Sequence, residues 1–223
     1  MKKRSKLLIL IVLVGVLFYY KDDIYKYTYS LINNGNSESY DINNIPQYSG
    51  NSYVIINDNI PYFNEEDYST SSFEKYSDLD YLGRCGVASA NIGIDLMPTE
   101  KRESIGGIKP SGWHSIKCHL IGYQLTGENA NSKNLITCTR SMNTIGMLQF
   151  ENKVADYIKK TNNHVLYRVT PVFEGNNLLA TGVEMEAYSV EDNGRGIMFN
   201  VFVYNIEDGV IIDYSNGDSK ISS

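Results

Sequence analysis

The segment Cys118–Glu151, CHLIGYQLTGENANSKNLITCTRSMNTIGMLQFE, decides the interpretation of this chain. It contains His119, one of only three histidines, and a dense set of asparagines, and it ends on Glu151. Apolar residues recur at helical spacing from there, at Phe150, Val154, Tyr157 and Ile158. We therefore predict a helix over 150–161 that carries Glu151 in its first turn, with an imidazole and several amides in the loop before it.

Side chains of these types are suited to phosphodiester hydrolysis with one metal ion. His119 can be the general base, because an unperturbed imidazole is largely neutral at pH 7. Mg²⁺ keeps most of its waters and takes few protein ligands. An amide ligand, Asn143, and a carboxylate that accepts hydrogen bonds from the metal's waters, Glu151, would therefore suffice.

Each of these signals is unspecific when it is taken alone. A single histidine that precedes apolar residues, as His119 does, is more often packed than catalytic. Asparagines between Glu128 and Asn134 are turn formers by default. A glutamate in the first turn of a helix is favourable there through the helix dipole alone.

The order and spacing of the motifs resemble the DNA/RNA non-specific endonucleases of the ββα-metal type, and within them the DNA-entry nucleases of Gram-positive bacteria. The resemblance extends from about Tyr53 to about Tyr204 and is densest over 118–175. In the family, a general-base histidine closes an Asp-Arg-Gly-His or Asn-Arg-Cys-His motif, whose second half the first stretch below resembles, and a magnesium-binding asparagine ends the third. In chain order the motifs are Cys118-His119-Leu120-Ile121-Gly122-Tyr123, Asn131-Ser132-Lys133-Asn134, Thr139-Arg140-Ser141-Met142-Asn143, and Glu151.

The resemblance implies an α+β, ββα-metal nuclease fold with a central antiparallel sheet. It implies that His119 is the general base, that Asn143 binds Mg²⁺, with Mn²⁺ as the alternative ion, and that Glu151 holds the metal's water shell. Asn134 would support the site. The expected substrate is DNA, with RNA as a second candidate, and no small-molecule cofactor is expected.

Several basic residues are candidates for contacts with substrate phosphates. Lys117 and Arg140 lie within or beside the motifs, and Arg84 and Arg102 lie further upstream. Arginines outside the motifs, such as Arg84 and Arg102, more often form solvated ion pairs. Arg168 lies inside a predicted strand and could face either a phosphate or a carboxylate of the sheet.

The residues before Cys118 depart from the family pattern. Ile116 and Lys117 stand where the family has Asp or Asn followed by Arg. Lys117 could replace the arginine as a cation, although it lacks the bidentate fork. We predict that the segment 113–117 joins directly where relatives carry an additional strand, and His114 near it is a second candidate base.

Two alternative functions stay open at this point. A shortened segment before Cys118 could leave a nucleic-acid-binding module without catalysis. The formal net charge of -6 has the wrong sign for holding nucleic acid by bulk electrostatics. An extracellular structural or interaction protein that kept only the fold is therefore the other alternative.

The N-terminus has the pattern of an export signal. Met1–Lys6 carries four basic residues, and an uncharged apolar run follows from Leu7 to Tyr20. No Ala-x-Ala cleavage site follows, and aromatic residues end the run, which favours an uncleaved anchor in the cell membrane. We expect a signal anchor at 1–22, a polar linker at 23–51, an outward-facing domain at 52–215 and a tail at 216–223, or a secreted domain if the signal is cut.

The domain itself is predicted to be rich in strands. Tyr53–Ile56 and Ile60–Phe63 flank a turn-forming Asn57-Asp58-Asn59 and predict a hairpin. Three long β-prone runs, 165–173, 178–190 and 197–204, are separated by turn-rich segments and predict an antiparallel meander. One further edge strand is expected at Val210–Ile212.

Three cysteines allow at most one internal disulfide: Cys85, Cys118 and Cys138. The resemblance implies Cys85 with Cys118, because both stand where the family often has cysteine. A zinc site is not expected, since the sequence has no CxxC or His-Cys cluster.

Overall fold

In the computed structural model the described residues are 12–16, 18–21, 24, 28, 39–100 and 117–222. The chain divides into two compact units, 1–37 and 38–223. Most of the predicted signal anchor lies outside the described residues, as do Arg102, His114 and the segment 113–116. Among the described residues, no helix has the length and apolarity needed to cross a bilayer.

The second unit is built from short and long strands around two α-helices. In its described part the elements are β1 (Ser39–Tyr40), β2 (Tyr53–Ile56), β3 (Phe73–Tyr76), β4 (Ala88–Ile92), β5 (Lys117–His119), α1 (Tyr123–Thr126), β6 (Leu135–Thr137), α2 (Leu148–Thr161), β7 (Val165–Val172), β8 (Gly182–Ser189), β9 (Met198–Tyr204), β10 (Val210–Ile212) and β11 (Ser219–Ile221). The main sheet has seven strands in the order β1-β2-β9-β8-β7-β4-β3. Its neighbouring strands are antiparallel except for the pair β1 and β2.

The predicted meander is confirmed by the pairing of β7 with β8 and of β8 with β9. The turn between β8 and β9 contains Asn193 and Gly194 in left-handed conformation, with φ of 57° and 77°. Asn and Gly tolerate this conformation better than other residues, which is why the sequence turns there. The meander forms the centre of the sheet.

The two faces of the sheet differ because side chains alternate along each strand. Val183, Met185 and Ala187 of β8 belong to the main hydrophobic core. The predicted helix is confirmed as α2, and it packs its apolar stripe, Phe150, Val154 and Ile158 among others, into this core. Glu184 and Glu186 of β8 consequently point to the opposite face.

A two-stranded sheet of β5 and β6 precedes α2 and completes a ββα unit. A π-helix, Met142–Met147, leads directly into α2. The ββα arrangement implied by the resemblance is therefore present, with His119 on the first strand and Glu151 in the first turn of the helix.

The expected disulfide between Cys85 and Cys118 is wrong. The bond joins Cys118 to Cys138, whose Cα atoms are 5.8 Å apart. The reason is the register of β5 and β6, in which Cys118 faces Ile136, so that a residue two positions further lies diagonally on the same face. Cys85 is a buried free thiol that donates to the carbonyls of Ser132 and Leu135, at 3.3 Å each.

The predicted hairpin at residues 53–63 is also corrected. Tyr53–Ile56 forms β2, but Ile60–Phe63 does not form a strand. Asn57, Asp58 and Asn59 adopt left-handed conformations in succession, with φ of 47°, 51° and 65°. They turn the chain away from β2, which pairs instead with β9, far along the sequence.

The domain extends beyond both predicted boundaries. Ser39–Tyr40, inside the predicted linker 23–51, pairs with β2, and the hydroxyl of Tyr48 donates to Asp208 Oδ1 at 3.0 Å. In the predicted tail 216–223, Ser219–Ile221 pairs with β10. The predicted strand Val210–Ile212 thus exists, but it pairs with β11 rather than with the main sheet.

Candidate active site

A cavity of about 260 Å³ lies where β5, α1, the π-helix and the first turn of α2 meet. It is lined by four of the predicted site residues, Lys117, His119, Asn143 and Glu151, and by Gly122, Tyr123, Gln124 and Leu148. A larger cavity of about 560 Å³ lies along β10 and β11 and contains none of the predicted residues. Size alone therefore does not identify the site, whereas the convergence of the predicted side chains does.

His119 lies at the end of β5 and is buried. Its backbone is fixed by pairing with Leu135 of β6. The ring Nε2 is 3.1 Å from the carbonyl oxygen of Asn129. A carbonyl oxygen only accepts, so Nε2 carries the hydrogen, and in the neutral ring Nδ1 is then the basic nitrogen.

Asn134 is fully buried and does not line the cavity. Its Oδ1 accepts from the backbone N–H of Ile121 at 2.8 Å, and its Nδ2 donates to the carbonyl of the same residue at 3.0 Å. The carbonyl of Asn134 also accepts from the N–H of Leu120 at 2.9 Å. Asn134 therefore fixes the two residues that follow His119, which is the geometry of a residue that supports the site.

The start of the π-helix is fixed by residues from the end of the meander. The hydroxyl of Thr139 accepts from the N–H of Met142 at 3.0 Å and donates to the carbonyl of Ile206 at 2.6 Å. The N–H of Thr139 donates to Asn205 Oδ1 at 2.9 Å. Asn143 is therefore presented from a helix end that is anchored to the main sheet.

Asn143 lies on the π-helix itself. Its carbonyl accepts from the N–H of Leu148, five residues on, which is the π spacing. π-helical turns are frequent at functional sites. Among the described residues, the side-chain amide of Asn143 has no hydrogen-bond partner, although it lines the cavity. Its oxygen is thus available for a ligand.

Glu151 lies in the first turn of α2 and is 8% exposed. Burial raises the pKa of its carboxyl to about 7, and a hydrogen bond from Gln124 opposes this shift. The amide Nε2 of Gln124 is 3.4 Å from Glu151 Oε2. A desolvated carboxyl of this kind is stabilised in its charged form by a nearby cation.

The predicted basic residues differ in their placement. Lys117 lines the cavity, whereas Arg140 is exposed at the beginning of the helical segment and does not line it. Arg84 does not line the cavity either. Its Nε is 2.7 Å from Asp80 Oδ2, and its Nη1 donates to two backbone carbonyls, those of Gly175 and Asn177, at 2.9 Å each. Arg84 therefore holds a turn.

Four cavity residues were not predicted as site residues: Gly122, Tyr123, Gln124 and Leu148. Gly122 has no conformational signature, because its φ of -62° and ψ of 144° are open to any residue. Gln124 belongs to the short helix α1, and its contact with Glu151 joins residues 27 positions apart. Only the fold brings these side chains to the cavity.

The residues present fit a hydrated hard cation. Among the described residues, no cluster of three or more His, Cys, Asp or Glu side chains could hold a metal ion. A Mg²⁺ site with one amide ligand and one carboxylate that contacts the waters does not need such a cluster. The cavity of about 260 Å³ has room for several waters, at ~30 Å³ each.

Comparison with known proteins gives one consistent result. A family described as DNA/RNA non-specific endonuclease matches residues 64–191. The fold is similar to NucA from Streptococcus agalactiae with magnesium ion bound, with a TM-score of 0.69 and 24% identity, covering 87% of this chain and 95% of that chain. It is also similar to the Sda1 nuclease with bound zinc ion, with a TM-score of 0.56 and 31% identity over 65% of this chain and 79% of that one. An extracellular endonuclease is similar at a TM-score of 0.60 and 21% identity, over 73% of this chain and 89% of that one.

Proposed function

This chain belongs to the DNA/RNA non-specific endonucleases, and we propose that it is a divalent-metal-dependent enzyme that hydrolyses phosphodiester bonds of DNA without sequence preference. RNA is the second candidate substrate. The observation that carries the proposal is that His119, Asn143 and Glu151 line one cavity. An imidazole base, a neutral metal ligand and a carboxylate for the metal's waters then act on the same phosphate.

His119 has the geometry of a general base in this scheme. Its Nδ1 takes a proton from the attacking water, while Nε2–H stays hydrogen-bonded to the carbonyl of Asn129, at 3.1 Å. The same hydrogen bond favours the imidazolium that forms, because the carbonyl accepts from a charged donor more strongly than from a neutral one. Lys117, at the cavity wall, supplies a cation beside the phosphate.

Mg²⁺ is the proposed ion, with Mn²⁺ as the alternative. Asn143 would hold the ion, and Glu151 would accept hydrogen bonds from its waters. A bound divalent ion supplies stabilisation of the charge that develops on the phosphate and on the leaving 3′ oxygen. The magnesium and zinc in NucA and Sda1 support a divalent ion here, and no small-molecule cofactor is proposed.

We place the reaction outside the cytoplasmic membrane. The basic and then apolar N-terminal sequence supports a membrane anchor, or secretion if the segment is cut. The disulfide between Cys118 and Cys138 supports an oxidising compartment. Lack of sequence preference follows if the site contacts phosphates rather than base edges.

Digestion of a plasmid with Mg²⁺, with and without chelator, tests the proposal. His119→Ala is expected to lower the cleavage rate by roughly 10²–10⁴-fold, the usual contribution of a general base. His164→Ala is the matched control, because His164 follows the other end of α2 and its Nδ1 is 2.6 Å from Glu191 Oε1. That variant should cleave like the wild type.

Gel shifts at low salt distinguish the alternatives. A wild-type protein that shifts DNA but does not cut it would be a binding module. A protein that neither cuts nor shifts DNA would be a structural or interaction protein, and the net charge of -6 makes this outcome worth testing. Sequencing of the cleavage ends checks the absence of sequence preference.

A further inference from the structure

Gly122 lies directly against the carboxylate of Glu151. A Cβ atom built on Gly122 would lie 2.5 Å from Oε2, 2.7 Å from Cδ and 2.8 Å from Oε1 of that carboxylate. Real Cβ atoms essentially never approach other heavy atoms within 3.0 Å. The carboxylate therefore occupies the volume that any side chain at position 122 would fill.

The backbone does not require a glycine at this position. Its φ of -62° and ψ of 144° lie in the extended region that all residues adopt. Alanine at such a position ordinarily stabilises a protein, because it restricts the unfolded chain. The space needed by the carboxylate is thus the feature of the structure that distinguishes glycine from alanine here.

The backbone around Gly122 is held on both sides. Ile121, the preceding residue, is bonded at its N–H and its carbonyl to the side chain of Asn134. The carbonyl of Gly122 itself accepts from the N–H of Leu125 at 2.9 Å. A methyl group at position 122 would therefore move the end of the flexible Glu151 side chain rather than the backbone.

We propose that Gly122 is a positioning residue whose missing side chain forms the seat of the Glu151 carboxylate at the edge of the cavity. The inference rests on the function proposed above, because it takes Glu151 as the acceptor for the metal's waters. A change of Gly122 is expected to act on the metal site through Glu151, whose carboxylate provides the atoms nearest to a Cβ at this position.

The variant Gly122→Ala tests whether the space at position 122 positions the Glu151 carboxylate. Metal binding provides a measurement that does not depend on catalysis. Free Mn²⁺ is counted by electron paramagnetic resonance in the His119→Ala background, and cleavage is measured separately in the wild-type background. Loss of an outer partner of a metal site typically lowers metal affinity or activity about 10–100-fold, and we expect a loss in this range. The melting temperature of the metal-free protein should shift by no more than about 4 °C.

The shorter Glu151→Asp side chain provides a conservative second variant. Its carboxylate is expected to lie further from position 122, because aspartate is one methylene shorter, and so to leave room for a methyl group. The double variant Gly122→Ala/Glu151→Asp should therefore bind Mn²⁺ no more weakly than Glu151→Asp alone. General damage to the loop would instead multiply the two losses and would overturn the seat.

Gly86→Ala is the matched control away from the cavity. A Cβ at Gly86 would also make a close contact, 2.8 Å from Ser77 Cβ, without a left-handed backbone. This variant should change the Mn²⁺ affinity by less than about twofold, since packing strain without contact to Glu151 has no route to the ion. A loss equal to that of Gly122→Ala would overturn the inference.

The outcome for the seat is separable from the outcome for the proposed function. If the wild type binds Mn²⁺ but cuts no DNA, the nuclease proposal fails while the response to Gly122→Ala still supports the seat. If the wild type cuts DNA and Gly122→Ala matches it in Mn²⁺ affinity and rate, the seat fails alone. A crystal structure of Gly122→Ala with the Glu151 carboxylate unmoved would overturn the seat whatever the activity.

Discussion

Glu151 and Glu184 are two buried carboxyl groups with similar pKa values and different surroundings. Burial is the largest cause in both cases, and each pKa is raised to about 7. Glu151 opens onto the cavity in the first turn of α2, whereas Glu184 lies on β8 and faces the side of the sheet away from that helix. A raised pKa therefore marks burial, and access to a cavity is what separates a functional carboxyl from an enclosed one.

Glu184 lies next to a second buried carboxylate, Glu186, on the same face of β8. The negative charge of Glu186 is stabilised by two hydrogen bonds to its Oε1, one from Arg168 Nη2 at 2.8 Å and one from the N–H of Tyr62 at 2.7 Å. After burial, the charge of Glu186 is the next cause that raises the pKa of Glu184, and the charge of Asp41 adds a smaller rise. A hydrogen bond with Asn200 and the charge of Arg168 lower this pKa. Among the described residues, Glu184 Oε1 has no hydrogen-bond partner.

The largest effect is expected at Arg168, the cation that pairs with Glu186 on the face of the sheet away from α2. Arg168→Met leaves Glu186 charged and almost completely buried, and removing one partner of a buried pair costs about 3–5 kcal/mol of unfolding free energy. Urea unfolding at neutral pH measures this loss. The folded protein should retain its cleavage rate, because Arg168 does not line the cavity.

A matched double variant sharpens the result for Arg168. Arg168→Met/Glu186→Gln removes both charges and keeps an acceptor for the N–H of Tyr62, so most of the lost stability should return. If the double variant is as unstable as the single one, the loss came from packing of the arginine, whose guanidinium lies 4.7 Å from the centre of the Phe63 ring.

The pH dependence of stability separates the two carboxyls next. A carboxyl whose pKa rises from 4.5 to about 7 on folding binds more protons when folded between these pH values, so the free energy of unfolding falls as pH rises through this window. The shift corresponds to at most about 3 kcal/mol for Glu184. Glu184→Gln should remove this part of the slope in urea unfolding between pH 4.5 and 8.

Mg²⁺ extends this measurement to Glu151. Its pKa is raised over the same window, so Glu151→Gln should also flatten the slope. Saturating Mg²⁺ should remove the contribution of Glu151, because a cation favours the charged carboxylate. It should leave the contribution of Glu184 unchanged. An equal response of both slopes to Mg²⁺ would contradict the assignment of the ion to the cavity.

The sequence predicted the elements that rest on local patterns. Periodicity predicts the helix with Glu151, and turn residues predict the meander. The motifs predict that His119, Asn143 and Glu151 belong to one site, and all three line one cavity. For Arg168 the sequence allows either a phosphate or a carboxylate of the sheet, and the structure shows the carboxylate of Glu186. The helix and the meander follow from patterns within a few residues, and the site residues follow the order of the motifs.

Long-range pairing explains most of the errors. The partner of Cys118 depended on the register of β5 and β6, and β2 pairs with a strand about 150 residues away rather than with its neighbour. Gly122 belongs to the first motif, but its role could not be predicted, because that role lies in a contact with Glu151 of another element. Contacts of this kind depend on how the elements pack together and leave no periodic pattern in the sequence.

The smallest effect, and the most direct comparison, is that of the two isosteric variants Glu151→Gln and Glu184→Gln on cleavage. Glu151→Gln should lower the rate about 10–100-fold, because a neutral amide is a weaker acceptor for the waters of an ion than a carboxylate. Glu184→Gln should leave the rate within about twofold and should stabilise the protein near pH 8, since a buried neutral amide avoids the cost of a desolvated charge. Initial rates on plasmid DNA at saturating Mg²⁺ provide the measurement, with circular dichroism to confirm that both variants are folded. Equal losses in both variants would mean that the enclosed carboxyl also reaches the reaction, and access to the cavity would then fail as the criterion that separates them.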